Sequence, residues 1–506
     1  MASQLQNITI AAPAFSGLNT QDSPLGLDSS WASVADHCVI DRYGRIGARK
    51  GIDIVTTSAT PLGSSAGIIS MFEFTETDGT TTVFSTGNNK IFSGTTSLTD
   101  ETPGSYTVNA DNWKIVSLAN KCYFFQAGQE PLVYSTASGD VEAMTGVSGY
   151  AGTVKQGNEV LAAFGRLWVA DIAGDKQKIY WSDLLDGLTW SGGSSGSIDL
   201  SNHWPKGYDE IVSIAAHNNF LIVFGKESIL MYSGAGSPAS MVLSDTTDSV
   251  GCSARDSVHA VGPDLLFLSA GGLRSLGRTI QENSLPMTDV SKNIRNDLIT
   301  AMSIQTSPIK AVYSPENAFY LLTLSDTEQV YCFDVRGLLD NQSYRVTKWP
   351  TTEIESFLRA KDGTLYLGVE NGVAKYNGYD DEGALYLLRY FSHPLAFDAP
   401  ANLKFVKKVQ ATIMGGNAVT GSIKWSYDYK EDYLTRPFVL STDVVAEYGV
   451  AEYGVSEYSI GVVTTRRAIN AGGSGAVVTV GVEANIEGSA FSLQELNIQS
   501  TIGRLI

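Results

Sequence analysis

The chain has little of what side-chain chemistry needs. It holds five histidines in 506 residues, His37, His203, His217, His259 and His393, and no two are closer than the fourteen positions from His203 to His217. Neither an H-x-x-x-H nor an H-x-H spacing is therefore present to give a metal two ligands on one element. The four cysteines, Cys38, Cys122, Cys252 and Cys332, form no C-x-x-C pair. Cys122 and Cys332 fall inside apolar runs, which reads as buried free thiols and a reducing compartment of synthesis. The Gly-rich stretches 193–196 and 234–238 lead into no helix, so neither resembles a phosphate cradle. The N-terminus, Met-Ala-Ser-Gln-Leu-Gln-Asn, has no basic or apolar signal region, and no apolar run approaches a membrane span. The expectation is a chain with no catalytic, cofactor-binding or metal-ligating residues, no cofactor and no membrane span. It is not expected to be an enzyme.

Positive charge is scarce too. Lys and Arg number 35 against 53 Asp and Glu, a net charge of −18. Such a surface favours solubility and disfavours static binding to nucleic acid. The excess is uneven: residues 1–400 carry 26 basic against 43 acidic side chains, and residues 401–506 carry 9 against 10. Charged residues make up only 17 % of the chain and aromatics 10 %, which excludes a disordered chain.

Glycine, by contrast, is abundant at 50 positions. Short strand-like runs end in an aromatic and a Gly or Asn turn, and they recur in seven units. These are residues 67–74 with 82–91, 113–118 with 121–134, 160–171 with 178–190, 211–216 with 219–233, 260–276, 309–335 and 354–376. The spacing, roughly 45–50 residues, is that of a four-stranded propeller blade. The fold expected is all-β: a propeller of six or seven blades over residues 56–395, preceded by an extended segment over 1–55. Residues 396–506 lack the blade period and alternate in short runs, as an antiparallel sandwich-like domain does. The N-terminal segment is expected to pack on that domain, because its apolar runs 8–11, 39–40 and 46 find no partner nearby. Within the segment, 31–34 is expected as one helical turn, and 38–48 as a hairpin. One short surface helix is expected between blades, with Thr288-Asp289 as its N-cap and Val290, Ile294, Leu298 and Met302 repeating at i+4.

Three local features invite a functional reading. Residues 180–190 resemble the Asp-box of sialidase-like propellers in the half Gly187-Leu188-Thr189-Trp190. The acidic half departs from it, with Asp183 and Leu185 in the serine and aspartate places. The expected role is structural, Asp183 and Asp186 capping a turn while Trp181 and Trp190 pack between blades. Arg42, Arg45, Arg49 and Lys50 form the densest basic patch, either a solvated hairpin or a docking surface for an acidic neighbour. A repeat of period five, with Glu447-Tyr448, Glu452-Tyr453 and Glu457-Tyr458, is either a tolerated duplication or a contact surface.

Three stretches in order along the chain resemble the tail nozzle proteins of short-tailed bacteriophages, also called tail tubular protein B or tail hub proteins. The first is Phe15-Ser16-Gly17-Leu18-Asn19 with Ser23-Pro24, leading to Asp41-Arg42-Tyr43-Gly44-Arg45-Ile46-Gly47. The second is the strand pair 219–233 around Phe224-Gly225, and the third is the close in Ile502-Gly503-Arg504. The resemblance implies a structural virion protein, present as a ring of six at the distal end of a short tail. Genomic DNA would pass its lumen during ejection without specific binding. The implied partners are copies of itself, tail adaptor or portal-complex proteins and tail fibres. The implied location is the virion tail, after synthesis in the host bacterial cytoplasm. The Glu-Tyr repeat is no hallmark of that family. The alternatives are a propeller enzyme that degrades polysaccharide and a carbohydrate-binding propeller.

Overall fold

In the computed structural model the described residues are 5–57, 62–63, 66–277, 289–415, 419–440 and 463–505. The Glu-Tyr repeat and Thr288 lie outside them. The protein is all-β, and its tight turns explain why the strands are short. Ala119-Asn120, Phe164-Gly165 and Asn218-Asn219 each place two successive residues at positive φ. That is the type I′ geometry whose twist matches the strands it joins.

Seven sheets stand in a ring, one for each unit read from the sequence. Blades one to four have four strands each, from Ser70 to Asp100, Lys114 to Ala143, Gly157 to Asp199 and Ile211 to Asp248. Blade five has three described strands, from His259 to Ser275, and blade six has four, from Lys310 to Pro350. Blade seven takes three strands from Ser356 to Asn377 and a fourth, Gly51–Ile54, from near the start of the chain. This strand closes the ring, and it does so at a glycine. A Cβ on Gly51 would lie 1.7 Å from the Asp380 carbonyl oxygen, so a side chain there forces the backbone apart.

Apolar faces between neighbouring blades hold the ring. Phe84 and Phe124 meet edge-on at 5.3 Å between blades one and two, and Phe224 meets Phe267 at 5.1 Å between four and five. Trp349 stacks on Tyr376 at 5.6 Å between six and seven. Leu62, Ile68, Phe92 and Val373 seal blade seven against blade one.

The second module is a sandwich built from both ends of the chain. One sheet orders Val463–Asn470, Asn402–Gly415 and Phe491–Leu505. Leu5–Ala11 pairs with Phe491–Leu505 over seven residues, and the hairpin Cys38–Ile40 with Ile46–Ala48 adds to the same strand. The other sheet orders Trp31–Asp36, Tyr386–Ser392, Val478–Ile486, Thr420–Tyr427 and Leu434–Val439. Val409, Ile413, Leu496 and Ile498 face Tyr390, Ile423, Val480 and Val482 in one core. Phe15 is fully buried there, edge-on to Tyr390 at 5.4 Å. The second sheet does not stop at the sandwich: Asp36 pairs with Lys348 on the outer strand of blade six, so one sheet runs through both modules.

Some expectations change. Residues 31–34 are a strand, Trp31–Asp36, rather than a helical turn, because Ala32 and Ala35 are buried and the backbone pairs with Tyr386–Ser392. Tertiary pairing outweighs local propensity there. The helix is Arg295–Ile304 after a single 3-10 turn, starting later than expected, and it lies at the surface with Asn296, Thr300, Ser303 and Ile304 exposed. Leu298 and Ala301 are buried, and Asn293 just before it donates to the carbonyls of Leu18 and Tyr344. Two strands also fall across the boundaries read from the sequence: Gly51–Ile54 belongs to the propeller, and Tyr386–Ser392 to the sandwich.

Candidate functional site

The inner strands bring a polar group from each of several blades to the propeller's centre. Lys310 on blade six reaches Asp256 at 2.8 Å, Asn112 Oδ1 at 2.6 Å and Ser70 Oγ on blade one at 3.4 Å. Lys114 on blade two reaches Asp256 at 3.0 Å and Glu159 on blade three at 3.8 Å. Arg255 donates to Asn112 Oδ1 at 2.7 Å, the Asn158 carbonyl at 2.7 Å and Asp256 Oδ2 at 2.8 Å. Ser213 on blade four donates to Glu159 at 3.3 Å. Glu159 is 1 % exposed and its Oε2 accepts no hydrogen bond. A pocket of about 320 Å³ opens over Asn112, Arg255, Asp256, Gln305 and Ser307.

Burial raises Glu159 to about 7, against the opposing pull of Lys114 and Arg255. Burial acts on Asp256 in the same sense, but Arg255, Lys310 and Lys114 outweigh it and hold that carboxyl well below its usual range. Burial brings Lys310 down to about 8. Three cations and two carboxylates therefore gather across the blades, with Glu159 Oε2 left without a hydrogen bond. Removing one partner from such a cluster strands a charge, which costs about 3–5 kcal/mol. The arrangement fastens inner strands together and fills the centre of the ring with side chains.

The histidines do not gather. His37 accepts from Arg49 at 3.3 Å, and His203 shares a hydrogen with Tyr232 at 2.6 Å. His217, His259 and His393 bond to the carbonyls of Pro263, Ala311 and Asn19. Among the described residues no group of three or more His, Cys, Asp or Glu is placed to hold a metal. Nor is any helix among them long and apolar enough to cross a membrane. All four cysteines are free and buried.

The turn around Asp183 and Asp186 has the structural role expected of it. Asp186 accepts from Leu188 N and Thr189 Oγ1, both at 2.8 Å, and Asp183 accepts from Leu184 N at 2.8 Å and Ser194 N at 2.9 Å. Trp190 packs with Phe125 between blades two and three, and Trp181 with Trp168. The basic patch divides. Arg49 is neither solvated nor available for docking: it is 1 % exposed, with two hydrogen bonds to Asp381 at 2.9 and 2.6 Å. Only Arg42, Arg45 and Lys50 remain at the surface, and they border a cleft of about 920 Å³ between the hairpin, blade six and the sandwich. Tyr376, Tyr379 and Phe491 lie in its wall.

The central charged cluster went unread in the sequence, although a signal was there. Ser70, Lys114, Glu159, Ser213, Lys310 and Ser356 each stand just ahead of the apolar run of an inner strand. A polar residue at the same place in successive units marks a shared channel.

No family model matches the chain, and no curated protein matches it. Among solved structures, similarity is found to the extracellular domain of BT4673 from B. thetaiotaomicron, at 12 % identity and TM-score 0.42. That match covers 78 % of this chain and 48 % of the other, so the chain spans about half the length of that domain. YCF48 bound to D1 peptide is similar at 11 % identity and TM-score 0.38, over 62 % of this chain and 93 % of the other. The WD40 propeller domain of Doa1 follows at 10 % identity and TM-score 0.37, over 64 % and 96 %. Likenesses this weak carry no argument about activity. The architecture stands on the sheet pairings themselves.

Proposed function

We propose that this chain is a structural subunit of a ring, the tail nozzle through which a short-tailed phage ejects its genome, and that it is not an enzyme. The observation that carries the reading is where the nozzle-like motifs lie. Phe15, Leu18 and Asn19 are buried, Asp41 binds Arg45 at 2.6 Å, and the hairpin joins the strand Phe491–Leu505. The resembling residues thus work as framework, tying the propeller to the sandwich, as a wall component under load requires. The central ion pairs support the same reading from another side. They join blades to one another across the propeller's own centre, so the lumen for DNA would lie between subunits. The acidic excess of residues 1–400 would line that lumen and repel phosphate. The nearly neutral C-terminal part would make subunit and tail contacts with less self-repulsion, and portal-complex proteins and tail fibres are the further partners.

Electron microscopy and light scattering of the full chain test this. The expected outcome is a closed ring of six copies, with no sub-micromolar binding of duplex DNA at low salt. A monomer that cleaves or retains surface polysaccharide would instead favour the enzyme or the carbohydrate-binding propeller. Tight DNA binding that weakens steeply with salt would overturn the conduit.

A further inference from the structure

The turn that Asp183 and Asp186 cap exposes two leucines. Leu184 is 53 % and Leu185 64 % exposed. Single apolar residues in water are ordinary, but these two are also pinned in place. Leu185 N donates to the Gly165 carbonyl at 2.7 Å, Asp183 N to the Thr189 carbonyl at 2.9 Å, and Ser194 Oγ to Asp183 at 2.6 Å. Leu185 itself stands at φ 55°, in the left-handed region that suits glycine and strains a bulky side chain. A leucine kept out of the core, at a backbone cost, in a turn held from both sides is a preformed apolar anchor.

The cleft beside the hairpin has the complementary surface. Its volume is about 920 Å³, and Ile40, Phe319, Tyr376, Tyr379 and Phe491 lie in its walls. At its border Arg45 is engaged by Asp41 at 2.6 Å and Arg336 by Asp334 at 3.0 Å, whereas Arg42 and Lys50 form no ion pair among the described residues. The tip offers the opposite charge, its leucines standing between Asp183 and Asp186. Hydrogen bonds from Ser194 hold Asp183 down to about 2, so it is charged at neutral pH. In a chain of net charge −18, a cleft with two unpaired cations is where a second copy is attracted rather than repelled. Tip and cleft do not meet within one chain. The tip belongs to blade three, and Glu316, Phe319 and Arg336 of the cleft to blade six, three blades away in a ring of seven and so nearly opposite.

We propose that the Leu184-Leu185 tip of one copy seats in this cleft of a second copy, its leucines against the aromatic wall and Asp183 and Asp186 toward Arg42 and Lys50. This contact rests on the chain's being a ring subunit, and it supplies the two surfaces that join the copies. A contact between two different patches is head-to-tail, the kind that closes into rings.

Two experiments on the full chain test it. Leu185→Gly should keep or raise the melting temperature, because glycine fits φ 55°. It should also weaken association about tenfold or more in light scattering. Lost stability with association intact would mark a leucine of purely structural use and overturn the proposal. The second experiment is a cross-link. Leu184→Cys with Ser489→Cys, which lines the cleft, treated with a short bis-maleimide, should give a ladder of joined chains up to the ring's full size. Each link should run from position 184 of one chain to 489 of another. The four native cysteines are buried and stay silent. Adding Arg42→Glu and Lys50→Glu should slow the link about fivefold or more, and a rate indifferent to that reversal overturns the proposed pairing. A ladder that stops at two, each tip in the other's cleft, upholds the contact and overturns the ring. Closed rings that do not link at these positions, while Leu5→Cys with Thr501→Cys, opposite one another in register, reacts, uphold the ring and overturn the contact. A monomer at every concentration overturns both.

Discussion

Arg49 sits 1 % exposed between Asp381, His37 and the ring of Tyr386, whose face lies 4.1 Å from the guanidinium carbon. The planar fork suits this place because it gives Asp381 two parallel hydrogen bonds and still stacks on an aromatic face. Arg49→Ala should therefore cost about 3–5 kcal/mol. Arg49→Lys should recover only part of that, and denaturant unfolding of the two variants measures the difference. The sequence showed Arg49 only as a member of a basic run. Nothing local distinguishes it from Arg42, because its partner lies 332 positions away. Protonation gives a second prediction at this scale. Burial, aided by Arg49 and Lys114 respectively, pushes His37 and His259 from 6.5 down to about 4. Between those values the unfolded chain binds the extra protons, so stability falls on acidification. Glu159 works in the opposite sense. Burial raises it from 4.5 to about 7, so in that window the folded chain binds the extra proton and stability rises on acidification. Glu159→Gln removes this opposing contribution. The variant should lose more stability than the parent between pH 7 and 5, by on the order of 1 kcal/mol. Equal losses in thermal melts at the two pH values would refute it.

At the scale of elements, residues 5–50 contribute five strands, and their partners decide what a truncation does. Ile10, Phe15, Leu18, Ile40 and Ile46 are each at most 5 % exposed. Burying a side chain of this size contributes about 1.5–3 kcal/mol, so the five together rival the whole net stability of a domain, about 5–15 kcal/mol. Deleting residues 1–50 should expose apolar surface and the free edge of Phe491–Leu505, and cause aggregation. A soluble, cooperatively melting truncation would count against this. The propeller was legible, as six or seven blades, because most blades repeat the same hairpin chemistry within their own stretch of chain. The hairpin Cys38–Ile40 with Ile46–Ala48 was legible for the same reason, its turn lying between its strands. Trp31–Asp36 was not, since nothing in six residues announces a partner at Tyr386–Ser392. The seventh blade's closing strand was missed on the same ground, because Gly51–Ile54 reads locally as the tail of a loop.

The whole molecule is held by a sheet that ignores the division into modules. From Lys310–Ser314 through blade six, Trp31–Asp36 and Tyr386–Ser392 to Leu434–Val439, every strand bonds to the next. Propeller and sandwich should thus unfold together, and calorimetry should record one transition. Two separable transitions would show that the shared sheet transmits little. The long-range pairings also set an order in time. Ile54 meets Ala374, and Leu5 meets Thr501, so strands made early pair with strands made hundreds of residues later. At about 5–20 residues per second, the roughly 320 residues between Ile54 and Ala374 take about 15–65 s to make. Throughout that interval the blades can form one by one, but the ring stays open at its seam. The nascent chain must keep two unpaired strand edges from meeting a neighbour's, so slow completion during synthesis, more than instability of the finished fold, is where this protein is most exposed to misassembly.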